Sequence, residues 1–191
     1  IIKAGDFEAT CKSLDRGMTP IVGEVYNTCE TQLVENEVNV FDTGIFNSSD
    51  ISFTGKGTVV SILDTGCDYA HTAFTTHQVV DPKYDRDFIA SILASTRAYE
   101  LSNGDLEARE VYYGNITGNK IAFGYDYADK DPDIMPFSND HGTHVAGIAA
   151  ANRIEGVDVV GMAPEAQPVV MQVFQQGGGA AWPTIMAALE D

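Results

Sequence analysis

The run Thr58-Val59-Val60-Ser61-Ile62-Leu63 is β-branched and apolar, follows the glycine turn Thr54-Gly55-Lys56-Gly57, and stops abruptly at Asp64-Thr65-Gly66. A strand this apolar along its length is one covered on both faces, which is the pattern of a parallel sheet rather than of a half-solvated antiparallel one. A second mostly apolar run, Pro168 to Phe174, and an alternating one, Lys120 to Tyr127, read as further strands. Between them, Asn139 or Asp140 offers an N-cap for a helix starting near His141 and running through Val145, Ala146, Ile148, Ala149 and Ala150, whose small side chains suit close burial. Pro183 stands where a proline opens a helix over Thr184 to Asp191, and Phe88 to Ala98 is apolar at helical spacing. Strands alternating with helices predict an α/β fold with a parallel sheet flanked by helices.

The chain has 191 residues, the size of one ordinary domain with a core of its own. We divide it into residues 1–50, an N-terminal extension of uncertain role, and residues 51–191, the main domain, with a polar surface excursion at about 81–120. No apolar run approaches the roughly twenty residues that a bilayer span needs. Lys and Arg number 11 against 28 Asp and Glu, a net charge of -17 that repels phosphate backbones and disfavours nucleic acid as a partner. The three cysteines, Cys11, Cys29 and Cys67, are an odd number without a C-x-x-C pair, so this is no disulfide scaffold. Cys11 and Cys29 could bridge in an oxidising compartment, or all three could be buried thiols. The sequence opens Ile1-Ile2-Lys3-Ala4-Gly5, without an initiator Met, a basic leader or an apolar leader core, as expected of a processed or excised chain.

Chemistry is expected where ionisable residues meet the ends of buried elements, because open α/β sheets hold ligands at the carboxyl ends of their strands. Asp64 follows a buried strand and His141 opens a small-residue helix. A buried aspartate needs a hydrogen-bonding partner to offset its desolvation, and a histidine N–H is a natural one. The segments Val60-Ser61-Ile62-Leu63-Asp64-Thr65-Gly66 and Asp140-His141-Gly142-Thr143-His144-Val145-Ala146-Gly147 closely resemble the aspartate and histidine motifs of subtilisin-like serine proteases. Asp68-Tyr69-Ala70-His71-Thr72-Ala73-Phe74 and Val160-Gly161-Met162-Ala163-Pro164-Glu165-Ala166 are similar to the segments that follow in that family, and aspartate before histidine is its triad order. Within the family, Phe123-Gly124-Tyr125-Asp126-Tyr127-Ala128-Asp129 and Ala163-Pro164-Glu165-Ala166-Gln167 most resemble the large lactocepin-type cell-envelope proteinases of Gram-positive bacteria. The resemblance covers about residues 50–191, the N-terminal part of a catalytic domain.

The resemblance implies a secreted or cell-surface serine endopeptidase acting on extended polypeptides, with His141 as general base and Asp64 as the group that orients it. Gln172, Phe174 and the glycines Gly177, Gly178 and Gly179 are similar to the edge on which a substrate strand pairs, and His144 is implied to be structural. The family's nucleophile lies in a Gly-Thr-Ser segment, and none of the nine serines here sits in one. The serine, the oxyanion asparagine and the primary pocket are therefore expected outside residues 1–191, on a companion chain or a further segment. A catalytically silent binding or regulatory module, or an excised fragment without function of its own, are the alternatives. His141 and His144 stand three apart with Gly142 after the first, unlike the four-residue, Glu-bearing zinc signature, so no catalytic metal is expected. The family resemblance leaves room for a structural calcium at Asn152, Glu155 and Asp158, with a solvated acidic loop as the alternative. Cys67, beside the aspartate motif, is expected to fill a buried apolar position rather than act as a nucleophile.

Overall fold

A computed structural model describes residues 54–113, 118–154, 160–175 and 179–191. The expectations placed on residues 1–50, including Cys11 and Cys29, and those on Glu155, Asp158, Gly177 and Gly178, lie outside the described residues. Among the described residues three parallel strands form one sheet: β1 (Val59–Asp64), β2 (Phe123–Asp126) and β3 (Gln167–Gln172), in the order β1-β3-β2. The register pairs Val59 with Gln167 and Asp64 with Gln172 on one side of β3, and Phe123 with Val169 and Asp126 with Gln172 on the other. As the central strand, β3 is buried at every residue, which accounts for its unbroken Pro168-Val169-Val170-Met171 run.

Successive side chains of a strand point to opposite faces, and β3 distributes its residues accordingly. Val169, Met171 and Val173 join Phe123, Tyr125 and Tyr127 in a cluster with Ile89, Leu93, Leu106, Val111 and Ala188. Val170 joins Ile62, Cys67, Phe74, Ile134 and Ala146 in a second cluster. The first face is covered by short helices α2 (Arg86–Ile92), α3 (Arg97–Leu101), α4 (Ala108–Val111) and by α6 (Trp182–Glu190). The second is covered by α5 (His141–Ala150), with α1 (Thr72–Thr75) beside it. The architecture is α/β, a parallel sheet flanked by helices.

Two expectations need correction. The segment 81–120 is not simply a surface excursion, since Ile89, Leu93, Ala98, Leu106, Val111 and Tyr112 all enter the core. Nor is Phe88 to Ala98 one helix: α2 passes into a 3-10 turn at Leu93–Ser95, and Thr96 then adopts an extended conformation. The Thr96 hydroxyl accepts from the Tyr99 backbone N–H, so this residue serves as N-cap of α3 instead of continuing the helix. Asp191 completes that end, its carboxylate accepting from the backbone N–H groups of Arg97 and Ala98 and from the Tyr127 hydroxyl.

Lys120, just before β2, is fully buried, and its Nζ donates to the Pro164 carbonyl oxygen at 2.6 Å. Burial pulls its ammonium down to about 8, partly opposed by the charge of Glu165. That bond fastens the chain leading into β2 to the loop that enters β3.

Candidate active site

The carboxyl end of β1 sets Asp64 at the rim of the sheet, with its side chain 11% exposed. Its Oδ1 accepts from the Thr65 backbone N–H at 2.7 Å and lies 2.8 Å from His141 Nδ1. A carboxylate can only accept, so this contact puts the imidazole proton on Nδ1 and leaves Nε2 as the basic nitrogen. The His141 side chain is 55% exposed, which leaves that second nitrogen within reach of an incoming group. The two residues that the sequence singled out, far apart along the chain, are brought together as one couple.

Close approach of two backbones makes this contact. A Cβ on Gly142 would lie 2.1 Å from the Gly66 carbonyl oxygen and 3.1 Å from Asp64 Cβ, so only glycine lets the start of α5 sit directly on the β1 turn. Gly66 itself has φ +99°, and a Cβ there would come within 2.4 Å of both Gln172 Oε1 and the Ile134 carbonyl oxygen. Two further hydrogen bonds tie the segments: Thr65 Oγ1 accepts from the Gly142 N–H at 2.9 Å, and Thr143 Oγ1 accepts from the Asp68 N–H at 2.9 Å. Changing Gly142 to Ala should destabilise the protein by about 1–3 kcal/mol, because the intruding methyl meets backbone rather than a yielding side chain. Gly147 in the same helix has nothing within 4 Å of where its Cβ would be. There the same change should stabilise by up to about 1 kcal/mol through helix propensity alone. Urea unfolding of both variants checks the pair, and equal effects would contradict the close-packing account.

The other candidates fall in different places. The Gln172 side chain is turned inward: the residue is 3% exposed, its Oε1 lies under Gly66, and that oxygen has no hydrogen-bond partner. Its side chain therefore supports the turn from inside the fold. Phe174 is half-buried, and its backbone N–H points to the Asp64 carbonyl oxygen at 3.4 Å, beside the stronger Val173 bond at 2.9 Å. Gly179 is exposed, with its carbonyl accepting from the Gln175 N–H at 2.9 Å and open space where a side chain would stand. His144 Nε2 lies 3.7 Å from Asp140 Oδ2 one turn along α5, an exposed pair apart from the Asp64 contact.

Cys67 is fully buried, and its thiol is pushed up to about 12, chiefly by burial and then by the charge of Asp68, against a lowering hydrogen bond with Thr143. A thiol so hard to ionise is a poor nucleophile. Among the described residues no group of three or more His, Cys, Asp or Glu is gathered so that it could hold a metal ion. Of the residues considered for calcium, Asn152 is described; it is 3% exposed and its Nδ2, which cannot ligate a cation, is the atom left unpartnered.

With this geometry in place, the comparison with known proteins is decisive. The sequence model of the Subtilase family matches residues 55–189. The chain belongs to the subtilase family. Relatives of this subtilase include a PII-type proteinase of Lacticaseibacillus paracasei, 34% identical over 75% of the present chain and 7% of its own length. The PII-type proteinase of Lactococcus lactis subsp. cremoris is 33% identical over 75% of this chain and 7% of its own. The Minor extracellular protease Vpr of Bacillus subtilis is 27% identical over 77% of this chain and 14% of its own. The subtilase sequence thus spans a small fraction of the length of these relatives. No helix among its described residues is long and apolar enough to cross a membrane.

Two features of the site escaped the sequence reading. Neither the cross-segment hydroxyl of Thr65 nor the inward turn of Gln172 was anticipated. The glycines at 66 and 142, one in each motif, were the available signal that the two segments meet backbone to backbone.

Proposed function

We propose that this subtilase supplies the base and the orienting carboxylate of a serine endopeptidase, with the serine provided from outside residues 1–191. The observation that carries the reading is the 2.8 Å contact between Asp64 Oδ1 and His141 Nδ1 on an imidazole that is 55% exposed. In the proposed reaction His141 Nε2 takes the hydroxyl proton as the serine oxygen attacks the peptide carbonyl. The proton then passes to the leaving amine, an acyl-enzyme forms, and water completes hydrolysis by the reverse proton path. Asp64 holds the tautomer and stabilises the imidazolium without itself being protonated. Nothing in these steps calls for a cofactor. We assign an extended polypeptide as substrate, running past Phe174 and Gly177 to Gly179, where glycines let a peptide backbone come close. The proteinase names of the relatives, and the word extracellular in one of them, support activity outside the cell or at its surface.

A native preparation incubated with an unfolded polypeptide should give internal cleavage products, read by mass spectrometry. The lack of a Gly-Thr-Ser segment in these 191 residues favours one competing reading, a catalytically silent binding or regulatory module. Polypeptide retained on the protein but uncut would support that module and overturn the endopeptidase.

A further inference from the structure

We propose that Thr65 is a positioning residue for the Asp64–His141 couple, its hydroxyl serving as a cap that one segment lends to the helix of the other. The first turn of a helix leaves backbone N–H groups without partners inside the helix, and a side chain just before it usually accepts from one of them. In α5 the N-cap residue Asp140 makes no such bond. Asn139 Oδ1 accepts from the His141 N–H at 3.1 Å, and the next N–H, that of Gly142, is taken at 2.9 Å by Thr65 Oγ1 from the far side of the site. The same hydroxyl donates its proton to the Asn139 carbonyl oxygen at 3.0 Å. It thus holds the residues on both sides of His141.

Thr65 also holds the other partner. Its backbone N–H donates to Asp64 Oδ1, the very oxygen that His141 Nδ1 meets. One residue therefore fixes the carboxylate through its main chain and the imidazole-bearing turn through its side chain. Without the hydroxyl, the Gly142 N–H and the Asn139 carbonyl lose their partner, and the start of α5 is free to shift along the β1 turn. A shift of about 1 Å at a reacting group is enough to cost as much as 100-fold in rate. Thr65 is distinct in this from Thr143, whose hydroxyl accepts from the Asp68 N–H and bonds the Cys67 thiol.

The kinetic part of this proposal rests on the endopeptidase reading; the structural part does not. The test compares Thr65→Val, which keeps the β-branched shape, and Thr65→Ser, which keeps the hydroxyl, in the full-length native protein. Two readouts are taken: kcat and KM on a peptide substrate, and the far-downfield proton resonance of the His141 Nδ1–H held against Asp64. We expect Thr65→Val to lower kcat by about 10- to 100-fold with KM unchanged, and to broaden or lose the resonance, while Thr65→Ser keeps both. Because a smaller folded fraction would also lower apparent kcat at constant KM, kcat is taken per folded protein, measured by circular dichroism, and the resonance is read on that folded population. Thr65→Val with unchanged kcat and resonance overturns the proposal, as does a Ser variant as impaired as the Val one. Should the Val variant not fold, Thr65→Ala read by the resonance takes its place. A wild-type protein that shows the resonance but cuts no peptide refutes the endopeptidase reading and leaves the resonance to decide the role of Thr65. A wild-type protein without the resonance refutes the role given to Thr65, and cleavage of the peptide then decides the endopeptidase reading by itself.

Discussion

Replacing His141 by Ala is expected to lower kcat on a peptide substrate by about 10⁶-fold, the scale on which loss of the base acts in a serine triad. The fold should be unaffected. The imidazole is 55% exposed and belongs to neither core cluster, so its removal opens no cavity. The backbone bond from the His141 N–H to Asn139 Oδ1 does not involve the side chain, and Ala is a favourable helix residue. Asp64 loses one partner but keeps the Thr65 N–H. Steady-state kinetics together with circular dichroism and thermal unfolding would check this, and a variant within tenfold of wild-type kcat would remove His141 from the reaction.

Asp64→Asn should cost about 10⁴-fold in kcat, again with the fold retained. The amide oxygen can still accept from the Thr65 N–H and the His141 Nδ1–H, so the local hydrogen bonds survive in one orientation. What is lost is the negative charge beside the imidazolium that forms when His141 takes a proton. In the other orientation the amide NH₂ faces Nδ1, which drives the ring proton to Nε2 and abolishes the base. Both effects act on the chemical step, so kcat falls and KM stays. They also act through His141, so the double variant His141→Ala with Asp64→Asn should be scarcely slower than His141→Ala alone. A loss of less than tenfold for Asp64→Asn, or full additivity in the double variant, would contradict the paired role.

Much of the sheet was legible because burial on both faces leaves a direct imprint. Thr58 to Leu63 and Pro168 to Phe174 are apolar enough to read as covered strands, and the strands β1 and β3 fall within a residue or two of them. The helix at His141 was legible for a similar reason: its small residues Ala146 and Ala150 are fully buried against the sheet. The break at Thr96 was not, because a threonine inside an apolar helical pattern reads as a tolerated residue until its hydroxyl is seen to cap the following turn. The inward turn of the Gln172 side chain was not legible either, for a geometric reason. The two-residue period of β3 puts it on the same face as Val170, beneath the turn that carries Gly66.

The site divides along the same line. Residue types and order pointed to Asp64 and His141, since a strand-end carboxylate and a helix-start imidazole are readable one motif at a time. The reason they meet is not readable in that way. It lies in a glycine of one motif seated against a carbonyl of the other, and in a threonine hydroxyl that accepts a hydrogen bond across the gap. Contacts of this kind depend on two segments at once, and a single sequence carries only the residue types that permit them.

The central claim is that His141 and Asp64 activate a serine hydroxyl. Its most direct test is to treat the native preparation with a fluorophosphonate probe, which labels only an activated serine, and then to record the intact mass of every polypeptide present. The account predicts stoichiometric label on a serine outside residues 1–191, lost in the His141→Ala variant. A folded preparation that takes up no label, or one that labels equally with and without His141, would contradict it.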